Sequence, residues 1–466
     1  MSYLFEGLEP KAALKHFWNV SQVYPRVPGH TQTISNYLAD FGRGLGLEVE
    51  QDAATNVIIR KPATPGYENA PSVMLASHMD MICEKNPGVD HDFFTQPIEM
   101  YLDGDFVRAK GTTLGADNGL GMAFAMAVLE STGLEHPAIE AVFTADEETS
   151  MNGAWSLNYS GIQSRIIYSL DAARLSLGGN GELEVDMTLP RDTAAPRPGD
   201  LRCTLTIGGL MGGHSGNNAY AGRGNAVTLL ARVLADLRDR YDLRIVSFQG
   251  GEGMSSSIAR NAGCTFQLAG CYREELAQEV EQWQTVLKNE LAVPDPAVSL
   301  TLADGGQPGD SCSSAATDRL LNLLCVLPDG LLSLNKYFDH KMESCVNVGV
   351  AETREDHFWV TLLIRSALAS KKYALLDRVK RVCHLVGAAY TIDHDLPQWD
   401  YHDGSQLIGL LNTIYGDLPA NVAQGTCELG VFLQHMPGAE AVGVSPLYES
   451  PHSPNEFFSV SGIARD

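Results

Sequence analysis

Ser72-Val73-Met74-Leu75-Ala76-Ser77-His78-Met79-Asp80 is the stretch from which the fold is read. Residues 73–76 form a short apolar run of the kind buried in a sheet. The run ends directly in an imidazole and a carboxylate. Open α/β sheets carry their sites beyond the carboxyl ends of the strands. Two later runs repeat the arrangement. Ile139-Glu140-Ala141-Val142-Phe143-Thr144 leads into Ala145-Asp146-Glu147-Glu148, and Arg165-Ile166-Ile167-Tyr168-Ser169-Leu170 leads into Asp171. Upstream, residues 10–47 read as two helices around a turn at 23–29, and Val57-Ile58-Ile59-Arg60 reads as a strand. Strands alternating with helices predict an α/β domain with a mostly parallel central sheet and helices on both faces.

Between the first two of these strands lies Gly111-Thr112-Thr113-Leu114-Gly115-Ala116-Asp117-Asn118-Gly119-Leu120-Gly121, followed by a helix-like apolar run at 122–129. Its glycines permit tight backbone turns. Its carboxylate, Asp117, is a candidate bridge between two divalent metals. The competing reading is a loop aspartate capping the next helix.

The chain has 466 residues, which predicts at least two domains. With 33 basic and 57 acidic residues the formal charge is −24, which argues against nucleic acid and anionic membranes as partners. The nine cysteines are scattered without a C-x-x-C pair, and residues 1–20 lack an apolar signal core. No run is long enough for a membrane span. A reduced, cytoplasmic protein is expected.

After about Gly181 the texture changes. Strand-like segments at 201–207, 243–248, 265–268, 298–302, 321–326, 346–350 and 358–364 surround helical runs at 225–237 and 273–291. This predicts an inserted α+β lid domain of antiparallel sheets over 184–390, in two lobes joined around Pro294 and residues 304–310. Residues 1–183 and 391–466 then form the two parts of the catalytic domain. Gly178-Gly179-Asn180-Gly181 lacks the Lys-Ser/Thr of a P-loop and reads as the hinge.

The chemistry-bearing candidates are His78, Asp80, Asp117, Glu147, Glu148, Asp171 and His452. Imidazole and carboxylate suit zinc-type hydrolytic sites. A pair of ions about 3.5–4 Å apart needs one shared carboxylate. Asp117 suits the shared position. His78 with Asp171, and Glu148 with His452, could complete the two ions. Asp80 could orient His78, and Glu147 could exchange a proton with water and the leaving amine. Spacing alone does not fix which acid takes which role.

These segments resemble one family. Ser77-His78-Met79-Asp80-Met81 with Cys83-Glu84-Lys85-Asn86, the Gly111 to Asn118 loop, Thr144-Ala145-Asp146-Glu147-Glu148-Thr149, Gly212-Gly213-His214-Ser215-Gly216 and Pro451-His452-Ser453-Pro454 are similar, in order, to motifs of the aminoacyl-histidine dipeptidase family. That family is also called peptidase D or cytosol non-specific dipeptidase, and belongs to the two-zinc metallopeptidases.

The resemblance implies His78, Asp117, Glu148, Asp171 and His452 as ligands of two divalent ions, zinc by preference, with cobalt or manganese also compatible. It implies Asp80 as orienting acid and Glu147 as the base that activates a metal-bound hydroxide. It further implies His214 as an oxyanion-stabilising lid histidine, Arg365 as the grip on the substrate carboxylate and Glu428 as the holder of the substrate amino group. A cis peptide at Asp117–Asn118, a homodimer and a small unblocked dipeptide as substrate complete the expectation. The rivals are an aminoacylase, tripeptidase or carboxypeptidase of the same clan, or a non-catalytic peptide- or metal-binding protein.

Ser257-Ile258-Ala259-Arg260-Asn261 matches the family's lid segment loosely, and two further places depart from its pattern. Ala172-Ala173-Arg174 follow Asp171 where Ser and acids are usual, and Gln424 stands where His is common.

Overall fold

The structure of the protein, a computed structural model, describes residues 3–173, 175–415, 421–445 and 448–464, without the side chains of 172, 173, 415 and 445. The chain forms two compact units. One comprises Met1–Gly179, Trp399–Ala423 and Cys427–Asp466, and the other Asn180–Gln398 with Gln424–Thr426.

The first unit is built on an eight-stranded sheet. Its centre is parallel: Val73–His78 lies between Ile139–Thr144 and Ile166–Ala173, and Glu440–Ser445 pairs the last of these. Val57–Lys61 and Glu48–Gln51 extend one edge antiparallel. The central strands are mainly apolar because helices cover both faces. Ile34 and Leu38 of helix Gln32–Gly44, with Met122 and Met126 of helix Ala116–Glu130, pack on Val57, Ile59, Ala141 and Phe143. On the other face, helix Glu428–His435 starts with Glu428 bonded to Thr144, whose side chain alternates with that of Phe143. The α/β expectation for this unit is borne out, with antiparallel strands added at the edges.

The second unit carries a nine-stranded antiparallel sheet over one continuous hydrophobic core. Two strand-helix-strand-strand-helix-strand halves supply eight of its strands, and Gly330–Leu334, paired with Met342–Thr353, is the ninth. One runs Asp200–Gly208, Ala226–Arg240, Arg244–Gly250, Ala262–Ala269, Arg273–Glu290, Ser299–Asp304. The other runs Gly181–Pro190, Ser314–Val326, Met342–Thr353, His357–Ser366, Ala369–Val386, Ala389–Leu396. Within each half the fourth strand lies beside the first, then come the third and second. The halves join through Gln249↔Glu352 and Gly250↔Ala351. The first half is threaded into the second, after its first strand.

Residues 321–326, expected as a strand, belong instead to helix Ser314–Val326. A short apolar run does not distinguish the two by period. The deciding signals are local. Ser313 Oγ accepts the Ala316 N–H at 3.1 Å as an N-cap, and Leu320, Leu323 and Leu324 bury one face. At the expected hinge, strand Ser176–Gly179 meets strand Gly181–Pro190, and the unit boundary falls between Gly179 and Asn180. A Cβ on Gly181 would stand 2.6 Å from the Gln398 nitrogen and the Leu396 oxygen, so only glycine admits the returning chain there.

Candidate active site

The parallel strands end level with one another. His78 pairs in register with Thr144, and Ala76 with Ser169, so the residues just beyond converge. His78, Glu147 and Asp171 bring ligand atoms within 4.8 Å of one another, as do His78, Asp117 and Glu148. His452 arrives from the C-terminal segment, between strands Tyr448–Glu449 and Phe457–Ser459. The second of these pairs Phe106–Ala109 and packs Phe458 on Phe17, ring centroids 5.0 Å apart.

Asp117 stands at the centre. Its Oδ1 lies 3.2 Å from His78 Nε2, and its Oδ2 lies 3.4 Å from His452 Nε2. Each oxygen thus faces a different imidazole. His452 Nε2 also lies 2.9 Å from Glu148 Oε2, and His78 Nε2 lies 3.9 Å from Asp171 Oδ2. The Asp117–Asn118 peptide is cis. Asp117 and Asn118 depart from helical angles, so the regular helix begins after them. Asn118 Nδ2 donates to the Leu170 carbonyl at 3.0 Å, tying the loop to the Asp171 strand. A Cβ on Gly121 would sit 1.8 Å from Asn118 Oδ1 and 2.8 Å from the Leu170 oxygen, so glycine is required at that contact.

Asp80, fully buried, does more than was expected of it. Its two oxygens accept the N–H groups of Glu147 and Glu148, each at 3.1 Å, while His78 Nδ1 lies 3.5 Å away. It therefore fixes the Glu147-Glu148 turn as well as facing the imidazole, and the turn contacts are the shorter ones. Glu428 is buried. Its Oε2 accepts from Thr144 Oγ1 at 2.7 Å, and its Oε1 is an unpartnered buried oxygen.

The electrostatics follow from this crowding. Burial pushes the Glu147 carboxyl well up, and the charges of Asp171 and Glu148 add to the effect against the opposing pull of His78. Burial and the Asp117 charge push Asp171 up to about 6, and burial pushes Glu428 up to about 8. Burial works against ionised Asp117 too, yet hydrogen bonds from His452 and His78 hold its carboxyl below the usual range. Those contacts with Asp117 and Glu148 raise His452 to about 10.

The donor set fits divalent cations. Four carboxylates, Asp117, Glu147, Glu148 and Asp171, share two imidazoles, and among the described residues no lysine or arginine side chain pairs with any of the four. Glu148 Oε1 is buried without a hydrogen-bond partner. Excess buried negative charge of this kind needs cations or protons, and oxygen and imidazole donors together suit zinc, cobalt or manganese.

In the second unit, His214 Nδ1 accepts the N–H groups of Gly216 and Asn217, both at 3.1 Å. The ring proton is therefore on Nε2. Burial and the charge of Arg365 bring its pKa down to about 4, so the ring is neutral at pH 7 and Nε2–H is a donor. Arg365 is buried and paired. Its Nη1 pairs with Glu182 Oε2 at 2.5 Å, and its Nε donates to Ser215 Oγ at 3.4 Å. Its charge is already matched. Burial opposes ionisation of Glu182, but His394 and Arg365 hold the carboxyl down at about 2. Gln424 Oε1 accepts the Met342 N–H at 2.8 Å, which leaves its Nε2 buried and unpartnered. The side chains of Ala172, Ala173 and Arg174 lie outside the described residues.

Sequence reasoning did not find Glu456, Arg26 or Tyr448. Glu456 is buried four residues after His452, and burial with the charge of Asp117 raises the Tyr448 hydroxyl pKa. Nothing in the sequence distinguishes Glu456 from a solvated glutamate.

A model of Peptidase family M20/M25/M40 matches residues 74–465. The cytosol non-specific dipeptidase of Escherichia coli (strain K12) is 32% identical over 447 residues, covering 94% of this chain and 92% of that protein. The crystal structure of aminoacylhistidine dipeptidase from Vibrio alginolyticus superposes with a TM-score of 0.90 at 32% identity, covering 99% of this chain and 95% of that one. The aminopeptidase PepT of Bacillus cereus shares the fold, with a TM-score of 0.57 at 17% identity over 98% of this chain and 96% of that one. The chain belongs to Peptidase family M20/M25/M40. The resemblance read from its five motifs is borne out. No helix among the described residues is long and apolar enough to cross a membrane.

Proposed function

We propose that the protein is a metal-dependent dipeptidase acting on small unblocked dipeptides. The observation that carries this reading is the carboxylate of Asp117, whose two oxygens face two different imidazoles in an anion-rich, cation-poor site. Its likeness to a cytosol non-specific dipeptidase and an aminoacylhistidine dipeptidase, each at 32% identity, supports the substrate class.

Asp117 would be shared by two divalent ions, with His78 and Asp171 serving one and Glu148 and His452 the other. When bound, such a pair polarises the scissile carbonyl and lowers the pKa of water. The chain's own residues do the rest. Glu147 takes the proton of the attacking water on its carboxylate and returns it to the leaving amine. Asp80 holds the Glu147-Glu148 backbone. Nε2–H of the neutral His214 is the donor suited to the developing oxyanion. Ser215, the neighbour of His214, bonds Arg365 and so links that donor to the residue proposed to meet the substrate carboxylate. Glu428, with a free buried oxygen, is the acceptor proposed for the substrate amino group.

Hydrolysis of Gly-His, β-Ala-His and Leu-Gly, set beside Gly-Gly-Gly and an N-acetyl amino acid, tests the substrate class. Cleavage of the dipeptides alone is expected. Preferred cleavage of the tripeptide or the N-acyl compound would overturn the dipeptidase reading in favour of a tripeptidase or aminoacylase.

A further inference from the structure

Glu456 is 2% exposed. Its carboxylate is occupied by backbone. Oε2 accepts the N–H groups of Leu114 at 2.7 Å and Gly115 at 2.9 Å, and Oε1 accepts that of Asp117 at 3.1 Å. All three donors lie in the loop that carries Asp117. The same loop is held from the acceptor side by buried Arg26, whose Nη1 reaches the Gly115 carbonyl at 3.5 Å. Arg26 also donates from Nε to the Met79 carbonyl at 2.9 Å and from Nη2 to the Asp80 carbonyl at 3.4 Å. Gly115 is thus gripped at both its N–H and its C=O. It has φ +70°, and a Cβ there would meet Met81 Sδ at 2.6 Å, so the loop has no slack at that point.

We propose that Glu456 is the positioning residue for Asp117: its carboxylate binds the loop N–H groups and so sets where the two oxygens of Asp117 point. Asp117 has to present one oxygen to each imidazole side, so a small rotation of its backbone spoils both at once. Glu456 comes from the same segment as His452, four residues on, and couples that segment to the Asp117 loop. This rests on reading Asp117 as the shared ligand.

The test uses the full-length protein and Co²⁺ as the probe, read by its visible absorption and by competition with a chelator. Glu456→Gln keeps the size but places an NH₂ against backbone donors. The expected result is a folded protein, by circular dichroism, that binds Co²⁺ about 10- to 100-fold more weakly with an altered visible spectrum. Glu456→Asp should fall between it and the wild type. A residue that only caps the helix start would lower Tm and leave cobalt affinity and spectrum alone, and that outcome overturns the proposal. Should Glu456→Gln fail to fold, Glu456→Asp decides alone: wild-type affinity and spectrum overturn the proposal. Asp117→Asn is measured in parallel. Wild-type cobalt binding by Asp117→Asn would overturn the shared-ligand reading. Loss of binding there, with wild-type binding by Glu456→Gln, would overturn only the positioning role.

Discussion

Replacing Glu147 by Gln is expected to lower kcat for dipeptide hydrolysis by about 10²- to 10⁴-fold while metal content stays at the wild-type level. The argument is geometric first. Glu147 lies three residues beyond the end of a central strand, its backbone is pinned by Asp80 at 3.1 Å, and its carboxylate stands beside His78 and Asp171. Like Asp171 and Glu428, it is an acid whose carboxyl burial and neighbouring carboxylates push up. A carboxyl with raised affinity for a proton is suited to accept one from water and to hold it until the amine departs. Gln keeps the shape and removes the acceptor. Its ligand atom lies as close to His78 and Asp171 as a metal ligand would, so the metal assay is decisive. Loss of one ion in Glu147→Gln would make Glu147 a ligand rather than the base. Full activity would remove it from the mechanism.

Asp117→Asn is expected to have the broader effect, with both divalent ions weakened together and activity down by more than about 100-fold. Even outer partners of metal ligands cost 10–100-fold when removed, and Asp117 is proposed as a ligand to both ions. The amide keeps one acceptor oxygen and replaces the other with an NH₂ donor, which faces an imidazole nitrogen where an acceptor stood. His78→Ala or His452→Ala, by contrast, removes a group that faces only one of the two oxygens. Metal analysis after dialysis distinguishes these cases. An Asp117→Asn protein that retains two tightly held ions would contradict the shared role.

Strand-end chemistry was readable in the sequence because it is local. His78 ends a buried strand, Glu147 and Glu148 follow another, and Asp171 lies near the end of a third, so the parallel sheet and the convergence of these residues share one cause. The segment 321–326 misled because a short apolar run fits helix and strand alike, and the cap at Ser313 settles it as a helix. Arg365 was identified as important, but its partner Glu182 is 183 residues away in the chain, so its neutralised charge had no sequence signal. Glu456 and Arg26 were invisible for the same reason. Their partners are backbone groups of distant loops, and backbone leaves no signature in side-chain pattern.

The most direct measurement is a titration of chelator-stripped protein with Zn²⁺, following Gly-His hydrolysis and bound zinc together. The predicted result is no activity without metal and full activity when two equivalents are bound. Full activity in stripped protein, or saturation of both binding and turnover at one equivalent, would contradict a two-metal site built around Asp117.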